Sequence, residues 1–526
     1  MKFNKSLSLL VGLVMITSLA SCNRDDTSNP GNNSSTNTTQ TTNTNTTTTT
    51  SNGDVHTTIP ELDYKGGYIT EPTTIEVWTT MGKDKQPWME QMVKAFEALE
   101  PNVTVKHTPQ SGNYDSLKEQ ITTGASTGNY PNMAYCYPDH VADYFDYRLP
   151  VNLKQYADNP EYGWDEFDRS DIYEGYLQEG YNYNGPQEGG LYSVPFAKSS
   201  ELMYYNTKIL GLTLDGYDRP LQASDIENIT WDEFFNKLCP ALLKYDKEEK
   251  AAGRAGLLTS EQTDRHAILG YDSGANFFIT LCEQYGIDYT KISEGHTNKG
   301  ELLWKSEEGY ELGEMIYDWC EKGYIVTPES VGQTFTSSLF QEGSILFTIS
   351  STAGYSHIAT QNVEVGCAMI PQAEVGLGVE KRTISQGPSF VVLDRGNETQ
   401  NLACWLFYKF ITEPINNLSW SGNSGYFPIR KCVANSDLYL AIYDPESYPD
   451  HSDKGYIGAI TFEKTDELAN SSFTSPVFDR SSDSRNAVQG VVNQICLGAR
   501  SSQAGDDVAG FVKGIIDEQY EIAIAG

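Results

Sequence analysis

LYSVPFAKSSELMYYN, Leu191 to Asn206, decides how the chain is read. An apolar, aromatic-rich run, Leu202, Met203, Tyr204 and Tyr205, follows a short polar turn and stops at Asn206. Such a run is expected to form a buried strand, entering from one lobe and ending in another. The stretch is therefore a candidate hinge.

Upstream of it the pattern is α/β. TIEVWTT, Thr74 to Thr80, reads as a strand. Trp88, Met92, Phe96 and Leu99 recur at three-to-four spacing, which predicts a helix over Gln86 to Glu100 whose stripe packs on a sheet and which stops before Pro101. The strand VTVKHT, a helix from Tyr114 to Thr123 and the strand NMAYCY follow. Strands alternating with helices signal a parallel sheet, with its ligand crevice at the carboxyl ends of the strands. Those ends are Thr79 to Met81, with Thr80 at the centre, then Gln110 to Tyr114 and Tyr137 to Asp139. Residues 143–190, rich in Tyr, Asp, Asn and Gly, read as helices and loops of the first lobe.

Downstream, Thr230-Trp231-Asp232-Glu233 is a capping box opening a helix with Phe234, Phe235 and Leu238. Further helices are expected after Asn276 and over Gly313 to Glu321. SILFTIS and VEVGCAMI read as second-lobe strands, with the polar turn Ser350-Ser351-Thr352 between them. ISQGPSFVVL, Ile384 to Leu393, reads as the strand returning to the first lobe, where a helix over Leu402 to Phe410 precedes WSGNSGYFPIRK. Helices from Val477 onwards should close the second lobe.

Length supports two lobes, since 526 residues exceed what one core usually serves. The net charge is −34. Lys2, Lys5 and Arg24 balance Asp25, Asp26 and Asp54, so all of that charge belongs to the folded body. An acidic body repels nucleic acid and anionic lipid, and favours a soluble monomer. The nine cysteines form no C-x-x-C and no zinc pattern; those in LACWLF, VGCAMI and NQICLG read as buried free thiols. Asp444, Glu446, Asp450 and Asp453 lack EF-hand spacing and read as a solvated face, so no metal site is expected.

Met1 to Cys22 has the parts of an export signal: Lys2 and Lys5, an apolar run from Leu7 to Leu19, then small residues. Its ending, Leu19-Ala20-Ser21-Cys22, resembles the bacterial lipobox, which implies lipid on Cys22 and anchoring at the outer face of a membrane. Residues 23–54, almost entirely Asn, Thr and Ser, are too polar to bury a core and read as a disordered tether.

The hinge stretch, with GNYDSLKEQITTG before NMAYCY, the TWDEFF helix start, SLFQEGSILFTISSTAGY, VEVGCAMIPQ, SQGPSFVVL and SGYFPIRK in this order, resembles the family 1 solute-binding proteins of ABC importers, the class containing the maltodextrin-binding and glycerol-3-phosphate-binding proteins. The resemblance covers roughly residues 73–520. It implies an α/β, two-lobed fold of the type II periplasmic-binding-protein kind, with a hinge of crossing strands and a central ligand cleft. The lobes would be 55–198 with 385–470, and 199–384 with 471–526. It also implies partners, a pair of ABC permease subunits driven by a cytoplasmic ATPase. The chain exceeds typical family length near 140–190, 240–310 and 433–470.

A cleft for a sugar needs aromatic faces beside short polar chains. Tyr114, Tyr137, Tyr271, Tyr355, Trp420 and Tyr426 fall at expected strand ends or loops, with Asp139, Ser200, Ser350, Ser351 and Arg430 near them. Resemblance to the glycerol-3-phosphate-binding branch maps function onto Tyr114, Ser200, Ser350 or Ser351, Gly387, Tyr426 and Arg480. An arginine fork grips phosphate in two-point fashion, so the phosphate reading depends on Arg480. Two departures count against it: the expected acidic residue is matched by Asp139 one place off, and expected tryptophans near 271–275 are replaced by Tyr271 and small residues. An oligosaccharide and a glycerol phosphate or its diester both stay open as ligand. Phosphate-loop, zincin and serine-hydrolase motifs are absent from the sequence. Catalysis is not expected, no cofactor is implied, and an adhesive role would not need a polar cleft at a crossover.

Overall fold

Two five-stranded sheets organise the computed structural model, which describes residues 58–525 apart from 184–186, 260–266, 296–297 and 377, together with the paired strands Thr48–Thr49 and Val55–His56. The expected export signal, Cys22 and the rest of the tether lie outside the described residues. The first major elements are β1 (Thr73–Thr79), α1 (Gln86–Leu99), β2 (Val103–Pro109), α2 (Tyr114–Ala125), β3 (Met133–Cys136), α3 (Pro138–Tyr144) and β4 (Val194–Pro195). The chain then crosses to β5 (Glu201–Asn206), β6 (Leu269–Tyr271), α4 (Gly274–Tyr285), α5 (Glu307–Glu321), β7 (Ile325–Val326), β8 (Phe347–Ser351) and β9 (Val365–Met369). It returns as β10 (Ser389–Val392), α6 (Glu398–Ile411), α7 (Pro414–Ser424) and α8 (Lys454–Phe462), and ends in α9 (Ser481–Arg500) and α10 (Val508–Ala525).

The first sheet has the order β2-β1-β3-β10-β4, parallel among the first three strands, with β10 antiparallel to β3 and β4. The second has the order β7-β6-β8-β5-β9, and β5 runs antiparallel to both neighbours. Thus β4 and β5, five residues apart, belong to different sheets, and the candidate hinge is a real crossing.

Covering on both faces explains why β5 is apolar at consecutive positions. Met203 and Tyr205 face a core with Phe235, Phe277, Trp319 and Val488, whereas Leu202 and Tyr204 face a third cluster with Val365, Cys367, Ile457 and Phe462. The first sheet has its own core of Val77, Met92, Phe96, Phe390 and Trp405. The terminal pair α9 and α10 packs on α4 and α5, in the second lobe. One boundary differs from expectation: within 385–470, α8 packs on β9 of the second sheet, because Ile457, Ile460 and Phe462 cover the face that Leu202 and Tyr204 leave apolar.

Three passages of chain join the lobes side by side. Ser199 N donates to Gln386 O at 3.0 Å and Gln386 N returns the bond to Ser199 O at 2.9 Å, tying the first passage to the second. Ala197 N donates to Pro388 O at 3.0 Å. Between them Gly387 sits at φ 86°, where an added Cβ would come within 1.9 Å of Ala197 O, so the close approach requires glycine. The third passage joins through Ser472–Phe473, parallel to Thr383–Ile384.

Candidate functional site

Where the passages meet, a pocket of about 100 Å³ opens between the lobes. Tyr137 and Asp139, at the carboxyl end of β3, form one side; Tyr289 and Ile279 of the second lobe form another. Ser385 and Gln386 come from the second passage, Thr474 and Ser475 from the third, and Ser481 and Arg485 from the start of α9.

An aromatic wall runs from this pocket into the first lobe. The Tyr137 ring meets Tyr114 edge-on at 4.8 Å between centroids, and the Tyr114 and Tyr426 hydroxyls lie 3.4 Å apart. Tyr426 in turn stacks on Trp420 at 5.9 Å with 10° between planes. Four of the expected residues are therefore contiguous, although 312 positions separate Tyr114 from Tyr426. Tyr114, Tyr137 and Tyr426 keep some exposure, whereas Trp420 lies on α7 rather than in a loop and is only 1% exposed. Trp420 thus backs the wall, against Phe196 and Trp88.

Beneath the pocket a polar network links the passages. Glu201, the first residue of β5, accepts from Tyr271 Oη at 2.6 Å, Asn276 Nδ2 at 2.6 Å and Gln386 Nε2 at 3.0 Å. Arg485 donates to Asn276 Oδ1 and so connects the pocket to that carboxylate. Burial pushes the Glu201 carboxyl up to about 7, with the bonds from Tyr271 and Asn276 working against it. Alongside, the first passage carries Lys198, whose Nζ donates to Glu179 Oε2 at 2.6 Å and to Gly387 O at 3.3 Å. Ser385 Oγ donates to the other Glu179 oxygen.

Other expected residues are placed elsewhere. Ser200 is buried, with Oγ donating to Ile384 O at 2.9 Å, and Ser351 Oγ reaches Ser199 Oγ at 3.4 Å; both serve the passages. Ser350 and Ser351 end β8, so the expected polar turn begins only at Thr352. Ser350 Oγ is buried with no partner among the described residues. Tyr271 is fully buried, held by Glu201 and packed on Phe277. Tyr355 packs on Phe462 and beside Gly425, and Thr80 is half-buried just after β1.

Both expected arginines need correction. Arg430 is fully buried and its fork goes to Asp168 Oδ1 at 2.7 Å, Asp171 Oδ2 at 3.3 Å and Thr412 O at 2.6 Å, so it is not near the pocket's solvent. Arg480 precedes α9, and its guanidinium binds Asp483 at 3.0 Å and Ala523 O at 3.0 Å on α10. The arginine that lines the pocket is Arg485, five residues on and one turn into α9. A helix period counted from the start of α9 would have raised it as a candidate beside Arg480. Gln386 was likewise missed, though it sits next to Gly387. Among the described residues no cluster of three or more His, Cys, Asp or Glu is arranged to hold a metal, and all eight cysteines after Cys22 are buried and free. No helix among them is long and apolar enough to cross a membrane.

Two α/β lobes, three adjacent passages and a polar pocket beside them define a two-lobed solute-binding protein. The sequence profile of bacterial extracellular solute-binding proteins matches residues 91–442, and the chain belongs to that family. Over 379 residues it is 22% identical to the sn-glycerol-3-phosphate-binding periplasmic protein of Escherichia coli (strain K12), covering 71% of this chain and 78% of that one. Among solved structures it is similar to UgpB from Mycobacterium tuberculosis in complex with glycerophosphocholine, with TM-score 0.59, 17% identity, and 86% and 98% of the two chains covered. It is also similar to the cyclic alpha-maltosyl-1,6-maltose binding protein from Arthrobacter globiformis, with TM-score 0.58, 16% identity, and coverage of 86% and 100%. Maltose-bound T. maritima MalE3 gives TM-score 0.57 at 18% identity, with coverage of 85% and 99%.

Proposed function

We propose that this protein captures a carbohydrate between its lobes, closes on it, and delivers it to an ABC permease, while lipid on Cys22 and the Asn/Thr/Ser-rich tether hold it at the outer face of the cell membrane. The observation that carries the ligand class is the continuous wall of Tyr137, Tyr114 and Tyr426 leading into a pocket with Asp139, Gln386 and Arg485. Aromatic faces take the C–H side of a sugar ring, and the polar groups take its hydroxyls. Tyr137 lines the pocket and leads to Tyr114 and Tyr426, so an oligosaccharide would place one end in the pocket and further units along the tyrosines. The role is binding, with no catalytic pair assigned.

A second reading, glycerol-3-phosphate or its diesters, is favoured by Arg485, whose guanidinium suits a phosphate. Thermal unfolding of the purified protein against oligosaccharides, glycerol-3-phosphate and glycerophosphodiesters separates the two. A ligand of the folded state at a hundredfold its dissociation constant stabilises it by about 2.7 kcal/mol. A shift with sugars alone supports the first reading, and a shift with phosphate esters alone supports the second. No shift with any of them overturns both ligand classes.

A further inference from the structure

We propose that Asp143 is a closure-dependent positioning residue: a carboxylate of the first lobe that caps α9 of the second, fixing the turn that presents Ser481 and Arg485 only when the lobes meet. The inference rests on the binding role above and concerns how the same pocket is completed.

A helix start leaves its first backbone N–H groups without intrahelical partners. At the start of α9 stands Arg480, at φ 69°, with no capping bond from its own side chain. Asp143, at the end of α3, instead holds the backbone of this cap residue from 337 positions earlier: its Oδ1 accepts from Arg480 N at 3.0 Å. Its Oδ2 accepts from Ser482 Oγ at 3.1 Å and from Lys118 Nζ at 3.0 Å, and Lys118 Nζ also reaches Ser482 Oγ at 3.0 Å. Lys118 and Asp143 are each 15% exposed, so this is a largely enclosed seam. A carboxylate here also faces the positive end of a 20-residue helix. Beside this cluster, Asn298 Nδ2 also donates across the seam, to Ala142 O at 2.7 Å.

The two sides of the seam are anchored in different cores. Val141 and Tyr144 of α3 pack in the first, and Val488 and Val491 of α9 pack in the second. Separation of the lobes at this seam removes the cap. Closure restores it and at the same step sets Ser481 and Arg485 against Tyr137 and Asp139. Cap and pocket form together, so each favours the other, and Asp143 contributes to retention of a solute without touching it.

The test needs no solute. In the full-length protein, nitroxides on Glu119→Cys and Glu301→Cys report the distance between lobes, while hydrogen exchange reports the amides of Arg480 to Asp483. In Asp143→Ala the distance distribution should shift to longer values, and exchange at those amides should rise at least tenfold. Lys118→Met, which leaves the carboxylate in place, should give a smaller change of the same sign, and provides the reading should Asp143→Ala fail to fold. Faster exchange with an unchanged distance distribution would make the cap merely structural and overturn the proposal, as would no change in either. Failure here leaves the outcome of the ligand panel untouched, and an inert ligand panel leaves this result intact.

Discussion

Lys198 and Glu179 form an ion pair at 2.6 Å in which neither side chain reaches solvent, and it lies where two of the three passages touch. Removing one partner leaves the other charge buried alone, which typically costs 3–5 kcal/mol. Lys198→Met should therefore lower stability by about that much. The double variant Lys198→Met, Glu179→Leu should recover much of the loss. Urea unfolding of the two variants and the parent checks both; equal losses in single and double variants would show that the pair's charge is not what matters.

Glu201 gives a pH signature. Its folded carboxyl is raised from 4.5 to about 7 by burial, so between those values the folded protein holds a proton that the unfolded chain has lost. Stability from this group is thus fully present below pH 4.5 and falls as pH rises through 7, by on the order of 3 kcal/mol. Unfolding of Glu201→Gln and parent at pH 5 and pH 8 should show a smaller decline in the variant. A parallel decline would assign the slope to other groups.

Arg485 and Arg480 should separate in binding. Once a ligand is identified by thermal shift, Arg485→Ala is expected to weaken it by at least tenfold in calorimetry, whereas Arg480→Ala should mainly reduce stability, by about 1 kcal/mol for its lost bonds. Tyr426→Ala should weaken binding comparably to Arg485→Ala. Equal affinity of the Arg485→Ala and Tyr426→Ala proteins with the parent would move the site elsewhere.

Gly387→Ala is expected to be strongly destabilising, because the position combines a positive φ with a backbone obstruction. Its φ of 86° and the approach of Ala197 O at 1.9 Å to any added Cβ leave no room without parting the two passages. The expected outcome is a loss of more than about 2 kcal/mol, read by thermal unfolding, with weaker ligand response in whatever folds.

Much of the fold was legible because it follows local periodicity. The apolar spacing in α1, the alternation of strands and helices, the crossing after Pro195 and the Thr230–Glu233 capping box all appear where the sequence reading expects them. Tyr114, Tyr137 and Tyr426 were expected at strand ends and loops, and the structure brings the three side chains together. What could not be read was which polar groups are already satisfied. Arg430 meets Asp168 and Asp171 from a segment about 260 positions away, and no local pattern announces that pairing. Tyr271 disappears under the Glu201 network for the same reason. The packing of α8 on the second sheet depends on a face of β5 whose partner comes more than 250 positions later.

The pocket's walls begin at Tyr137 in the first lobe and are complete only at Arg485, beyond the third passage. Made in chain order, the first side of this pocket is present long before the residues of the third passage and of α9 that close it. A product that stops before the third passage contains the strands of both five-stranded sheets, yet lacks Thr474, Ser475, Ser481 and Arg485 of the pocket. Completion of the pocket thus reports that all three passages have been made and threaded side by side.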